Sequence, residues 1–140
     1  MTLTLAPAKL IAINLNGTVV TASPQGGNAL HRKKKVLRWK NTTNRRIGLY
    51  FREFYDLDDP ETPEDPQEYE TVWPFGKIAP QAGISVDIST GTVRIEAGHT
   101  FTAPVAGAGM QMVKYDVAVL VGDDVDTAFT KLDPIIVIDR

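Results

Sequence analysis

The side chains best suited to chemistry in this sequence are a histidine and two methionines. His99 and Met110 have ten residues between them, and Met112 follows two positions on. One imidazole and two thioethers are soft donors of the kind that suit Cu(I). The same residues have a plainer reading, with Met112 packed in a core and His99 in a Gly98-His99-Thr100 turn. His31 is the only other histidine, so a multi-histidine metal site within one chain is not expected. The lack of cysteine excludes disulfides, iron–sulfur clusters, zinc ribbons and thiol nucleophiles.

Catalysis has little to work with. A triad needs a serine, a histidine and a carboxylate within reach of one another. Ser23, Ser85 and Ser89 are the serines, and none sits in a nucleophile-elbow context. Gly26-Gly27 precedes no helical pattern and so is no phosphate loop. The sequence therefore predicts no enzymatic activity, no catalytic residues and no cofactor.

Charge is distributed unevenly. Arg32, Lys33, Lys34, Lys35, Arg38, Lys40, Arg45, Arg46 and Arg52 hold nine of the fifteen basic residues. Asp56, Asp58, Asp59, Glu61, Glu64, Asp65, Glu68 and Glu70 then place eight carboxylates in fifteen residues. Carboxylates this dense suit Ca²⁺, but Pro60, Pro63 and Pro66 interrupt the run and no glycine marks an EF-hand turn. The expectation is a solvated acidic excursion that partly balances a solvated basic strand face. A net charge of −2 argues against wholesale nucleic-acid binding.

The elements that must position these residues follow a period of two. Ile84, Val86 and Ile88 alternate with polar residues, Ser89-Thr90-Gly91 turns the chain, and Val93, Ile95 and Ala97 resume the stripe, as in a hairpin. Val113, Tyr115, Val117, Val119 and Val121 form the most regular stripe. Ile47, Leu49 and Phe51 form another, and Leu37 with Trp39 another, which sends Arg38 and Lys40 to the solvent side. Ile135–Ile138 is a β-branched run suited to a covered strand. Residues 9–15 and 18–22 are two strands, or one bent strand, around Asn16-Gly17, a strong hairpin signal. Short helical turns are predicted at 65–73, where Asp65-Pro66-Gln67-Glu68 resembles a capping box, and at 124–132. The result is an all-β, single-domain Greek-key β-sandwich over residues 1–140, of seven to eight strands with one or two helical turns in loops.

The stretch from Lys35 to Thr43, with Leu37 or Val36, Trp39 and Asn41 in alternate positions, resembles the valine-x-tryptophan-x-asparagine strand of cupredoxins. The terminal strands, 114–121 and 133–139, look like the closing strands of copper-free cupredoxin-like proteins. The resemblance implies a cupredoxin-like sandwich, with an immunoglobulin-like one as the other option. The family's first copper histidine has no counterpart in 46–51, and its cysteine is missing, so a type 1 copper centre would have no ligands. His99 with Met110 and Met112 is similar to the first half of the motif in periplasmic cupredoxin-like copper chaperones. The second half would need a histidine and a methionine where this chain has Leu132 and Pro134.

These readings predict a non-catalytic binding or assembly module, with another protein as partner and neither nucleic acid nor membrane. Two alternatives stay open: copper handling through His99, Met110 and Met112, and a structural subunit of a larger assembly. Recognition is expected from loops at one end of the sandwich, with Tyr55, Tyr69 and Trp73 in the acidic excursion and the 102–111 loop as candidates. The N-terminal ten residues have no basic n-region and no continuous apolar run, and predict a cytoplasmic protein, or a periplasmic or secreted one if a leader was removed.

Overall fold

The computed structural model describes residues 8–23, 29–31, 36–56, 67–68, 73, 75–104 and 111–138. Within these the chain is all-β, with no helix. In order the strands are β1 (Ala8–Asn16), β2 (Val19–Ser23), β3 (Ala29–His31), β4 (Val36–Asn41), β5 (Ile47–Asp56) and β6 (Gln67–Glu68). There follow β7 (Ile84–Asp87), β8 (Thr92–Ile95), β9 (Thr100–Pro104), β10 (Gln111–Val121), β11 (Asp124–Val125) and β12 (Ile135–Ile138).

They form two sheets. One has the order β2-β1-β4-β9; the other runs β3-β12-β10-β5-β8-β7, with β11 on β10 and β6 on β5. Most pairs are antiparallel, but β1 runs parallel to β4, and β12 parallel to β3. Turn chemistry closes the two tight hairpins. Gly17, at φ 60°, follows Asn16 between β1 and β2, and Gly91, at φ 68°, completes the turn between β7 and β8. Both sit where only a residue without Cβ adopts the left-handed region at little cost.

Alternation delivers one face of each sheet to a shared core. Leu37 and Trp39 in β4, and Ile11 and Ile13 in β1, meet Ile47, Leu49 and Phe51 in β5 and Val113, Tyr115, Val117 and Val119 in β10. Trp39 lies at the centre, fully buried. It stacks on Phe101 at 5.6 Å and meets Phe51, Phe75 and Tyr115 edge-on at 5.6–5.8 Å. Because Trp39 and Phe101 belong to one sheet and Phe51 and Tyr115 to the other, these contacts join the two faces of the sandwich. Arg38 and Lys40 point to solvent as the alternation requires.

Several expectations need correction. The capping-box segment does not begin a helix at Gln67–Glu68, which pair with Phe54 and Glu53 as β6. The 124–132 segment starts as β11 and continues as turns and isolated bridges, because pairing with β10 satisfies its backbone better than a lone helical turn could. Among the described residues, nine strands of four or more residues exceed the seven or eight expected. The addition is β9, so Thr102–Pro104 is edge strand, not the start of a loop. Val121 and Ile88 are exposed at the ends of their stripes, and Ala97 sits in a turn beyond β8.

Candidate functional site

The face of β10 that looks away from the core changes character along its length. Lys114 and Asp116 are charged, whereas Ala118 and Leu120 are apolar and buried. The chain after β10 explains this. It turns at Gly122-Asp123, pairs as β11, then swings out and returns so that Leu132 bridges Val117 and the Pro134 carbonyl accepts from the Tyr115 N–H. On the way Thr130 bridges Val19 of the other sheet, with its N–H on the Thr18 carbonyl and its own carbonyl accepting from Val20. The 126–133 return is thereby pinned at both ends.

Between this return and β5 lies a cleft of about 200 Å³, lined by Tyr50, Arg52, Asp116, Ala118, Val125 and Lys131. Asp116 forms its floor. The residue is 5% exposed, and its Oδ2 accepts from Arg52 Nη2 at 2.6 Å and from Lys131 Nζ at 3.2 Å. The two cations come from opposite walls. Arg52 occupies a β-bulge: Lys114 pairs with Glu53 and Tyr115 with Phe51, which leaves Arg52 without a partner in register. A bulge re-aims the side chain at the extra residue, here over the carboxylate of the neighbouring strand. Both cations remain more than half exposed, at 59% and 54%.

Tyr50 forms a further wall. Its ring lies back along β5 over Gly48, where a Cβ would come within 2.9 Å of the ring and hydroxyl. Burial pushes its phenol above the ordinary tyrosine value; Arg94 and Arg46 act against that, while Asp124 and Asp123 add to it. At neutral pH it is therefore a protonated hydrogen-bonding group. Beyond Tyr50, Arg46 and Arg94 converge on Asp123 Oδ1 at 2.8 and 3.6 Å, and Arg46 also lies 2.8 Å from Glu96. Arg45 holds Asp126 at 2.9 Å and sits over the Phe129 ring, 5.1 Å from its centroid.

Among the described residues, Arg45, Arg46 and Arg52 pair with Asp126, Asp123, Glu96 and Asp116, all in the second half of the chain. Residues 32–35, and the acidic excursion apart from Asp56 and Gln67–Glu68, lie outside the described residues.

Of the metal candidates, His99 and Met112 are not brought together. His99 follows a turn beyond Ile95, with its carbonyl accepting from the Asn41 N–H, and Ile95 pairs with Ile47, which pairs with Val119. Met112 pairs with Tyr55 at the other end of β10. Seven residues of strand separate the Met112 and Val119 positions, on the order of 23 Å at the usual rise. His99 and Met112 therefore cannot share an ion within one chain. Met110 lies outside the described residues. His99 instead covers Gly83, where a Cβ would fall 2.3 Å from its ring.

Of the recognition candidates, Tyr55 lies on strand β5, and Tyr69 is outside the described residues. Trp73 is half-buried against the aromatic core, edge-on to Phe51 and Phe75 at 5.9 and 5.5 Å, and its Nε1 donates to the Gly76 carbonyl. Its ring serves the core. Sequence reasoning missed Asp116, Lys131 and Tyr50, and counted Arg52 only as part of the basic strand face. The available signal was the outward face of β10, where Ala118 and Leu120 interrupt a polar alternate and announce a cover.

Fold and site together define an all-β sandwich with a small, cation-rimmed cleft on the outer face of its larger sheet. Compared with protein-family models, with curated proteins and with solved structures, the chain matches none.

Proposed function

We propose that this protein is a non-catalytic binding or assembly module on a copper-free, Greek-key, cupredoxin-like scaffold, and that its partner is another protein. The observation that carries the reading is the Arg52–Asp116–Lys131 cleft. Its buried carboxylate is committed to holding two cations in place, which is a positioning role, and the cations present their remaining donors outward. The volume falls below the ~300 Å³ from which drug-sized pockets start, and suits one side chain from a partner.

Strand order supports the scaffold. Successive strands divide between the sheets: β2 and β3 lie in different ones, as do β4 and β5, and β8 and β9. The parallel β1·β4 pair departs from the antiparallel sheets of the constant-type immunoglobulin sandwich, which favours the cupredoxin-like option. Leu37, Trp39 and Asn41, the positions that carried the resemblance, are all fully buried.

The test is a photo-crosslinking side chain at Thr127, exposed on the return beside the cleft, introduced in cells that make the protein. A matched control is placed at Thr21 on the other sheet. The reading expects a discrete adduct with a second protein from position 127 that disappears in the R52E/K131E variant. Identical adducts from both positions, or no adduct from either, would sink it.

A further inference from the structure

Three charges meet at the cleft, one negative and two positive, so a single positive charge is left over. A guanidinium has five N–H donors and an ammonium three, and one carboxylate oxygen cannot occupy them all. The surplus donors belong to side chains that are 59% and 54% exposed, so an incoming acceptor reaches them without displacing protein. The rest of the lining is Ala118, Val125 and the ring of Tyr50, apolar surface of short extent.

On the reading that the protein is a binding module, we infer that this cleft seats a single carboxylate carried on a short aliphatic stem. The chemistry fits a glutamate side chain presented by a protein partner, or a free short-chain carboxylic acid. A monoanion neutralises the surplus charge. A dianion such as phosphate would bring a second negative charge toward buried Asp116, which the low dielectric there makes unfavourable. An uncharged ligand would leave the cations unanswered. The apolar walls fit a few methylene groups, and the protonated Tyr50 phenol closes the far side.

The geometry assigns distinct tasks to the lining. Lys131 and Arg52 supply the recognition, Asp116 fixes the distance between them, and Gly48 gives Tyr50 the room to lie flat. Neutralising either cation should abolish carboxylate recognition. Lys131, more than half exposed on the return, is the safer substitution for folding.

The experiment is a ¹⁵N-resolved NMR titration of the full chain with sodium butyrate, against sodium chloride at equal ionic strength and against butanol. A second arm uses a short peptide with one glutamate and its glutamine counterpart. Saturable shifts at the Ala118, Val125 and Lys131 amides are expected, at roughly millimolar concentration for free butyrate. They should be lost in K131Q and in R52Q/K131Q, whose spectra elsewhere stay that of the folded protein. Binding of butyrate alone marks a free acid as the source, and binding of the glutamate peptide alone marks a protein; either supports the assignment. Absence of shifts in both arms, equal shifts with butanol, or binding that survives in K131Q overturns it. The module reading fails separately, when a carboxylate binds as described and position 127 yields no crosslinked protein.

Discussion

Gln81 and Thr102 are joined by a two-pronged hydrogen bond. The Gln81 side chain donates from Nε2 to the Thr102 carbonyl at 2.7 Å, and its Oε1 accepts from the Thr102 N–H at 2.8 Å. Thr102 is the middle residue of β9, the outer strand of the four-stranded sheet, so the amide stands where the backbone of a further strand would pair. Two residues on, Pro104 has no N–H to offer. A glutamine and a proline between them close an edge that would otherwise template another chain.

Removing that guard should have two effects. Gln81→Ala should lower stability by about 1–3 kcal/mol, the sum of two ordinary hydrogen bonds. It should also raise self-association, because Thr102 then presents both backbone groups to other molecules. Gln81→Glu keeps the acceptor but sets a carboxylate against the Thr102 carbonyl, and should do no better. Urea denaturation and light scattering measure the two effects. A Q81A protein within about 0.5 kcal/mol of the parent, with unchanged scattering, would show the contact to be incidental.

At the core, the Trp39 indole Nε1 donates to the Tyr115 hydroxyl at 3.1 Å, both groups buried. Trp39→Ala should cost on the order of 3–5 kcal/mol through lost burial and a residual cavity. Tyr115→Phe keeps the ring but strands a buried N–H, at about 1–3 kcal/mol. Burial pushes the Tyr115 phenol well above the ordinary tyrosine value, against the opposing effect of the Trp39 hydrogen bond. The folded state thus holds a proton that the unfolded chain releases near pH ~10. That contribution is complete below this pH and is lost as pH rises toward the folded value. Denaturation midpoints from pH 8 to 11 should fall more steeply for the parent than for Y115F; parallel curves would refute this.

How much of this was legible in the sequence depended on distance along the chain. Leu37 and Trp39, or Val113 to Val119, declare their burial through local alternation, and Asn16-Gly17 declares its turn through backbone chemistry. Strand β9 did not declare itself. Thr100–Pro104 follows Gly98 and ends in proline, and it becomes a strand by pairing with β4, sixty residues earlier. Gln67–Glu68 and the 124–132 segment carried helix-like local signals that pairing with β5 and β10 overrode. The cleft was least visible, because Arg52, Asp116 and Lys131 are remote in sequence and meet only through the bulge and the chain's return.

Asn41 pins one end of the sandwich. Fully buried, it donates from Nδ2 to the carbonyls of Arg45 at 2.7 Å and Ile95 at 2.9 Å, and its Oδ1 accepts from the Thr43 N–H and hydroxyl. Each donor and acceptor thus has a protein partner, and the Ile95 contact ties the two sheets. Asn41→Asp replaces the donor with an acceptor that faces two carbonyls, so it should be worse than Asn41→Ala. Roughly 2–4 kcal/mol is expected for the alanine variant, from stranded buried carbonyls and lost packing. Thermal unfolding of the three proteins decides it: an aspartate variant as stable as the parent would mean that Nδ2 donates to nothing of consequence.

The cleft's outer wall should loosen in acid, and Asp126 is the reason. Its Oδ1 accepts from the Ala128 N–H at 3.0 Å and its Oδ2 from Arg45 at 2.9 Å, while Arg45 also covers Phe129. The Ala128 backbone hydrogen bond first, and the Arg45 contact second, hold the Asp126 carboxyl below the ordinary aspartate value. A depressed folded value means that the contribution is present above the unfolded value of about 3.9 and is lost as pH falls through the folded one. The consequence is local, because Asp126 begins the return that carries Lys131 over Asp116. Between pH 6 and 3, the Ala128 and Thr130 amides should lose hydrogen-exchange protection before the core strands do. Asp126→Asn should show that loss already at pH 6 and change little further on acidification. Asp87, whose carboxyl is lowered chiefly by the Ser89 hydroxyl in the β7–β8 turn, provides the control. Asp87→Asn should leave the return untouched at every pH. If D87N and D126N loosen residues 126–131 equally, acid acts on the sandwich as a whole and not through this carboxylate.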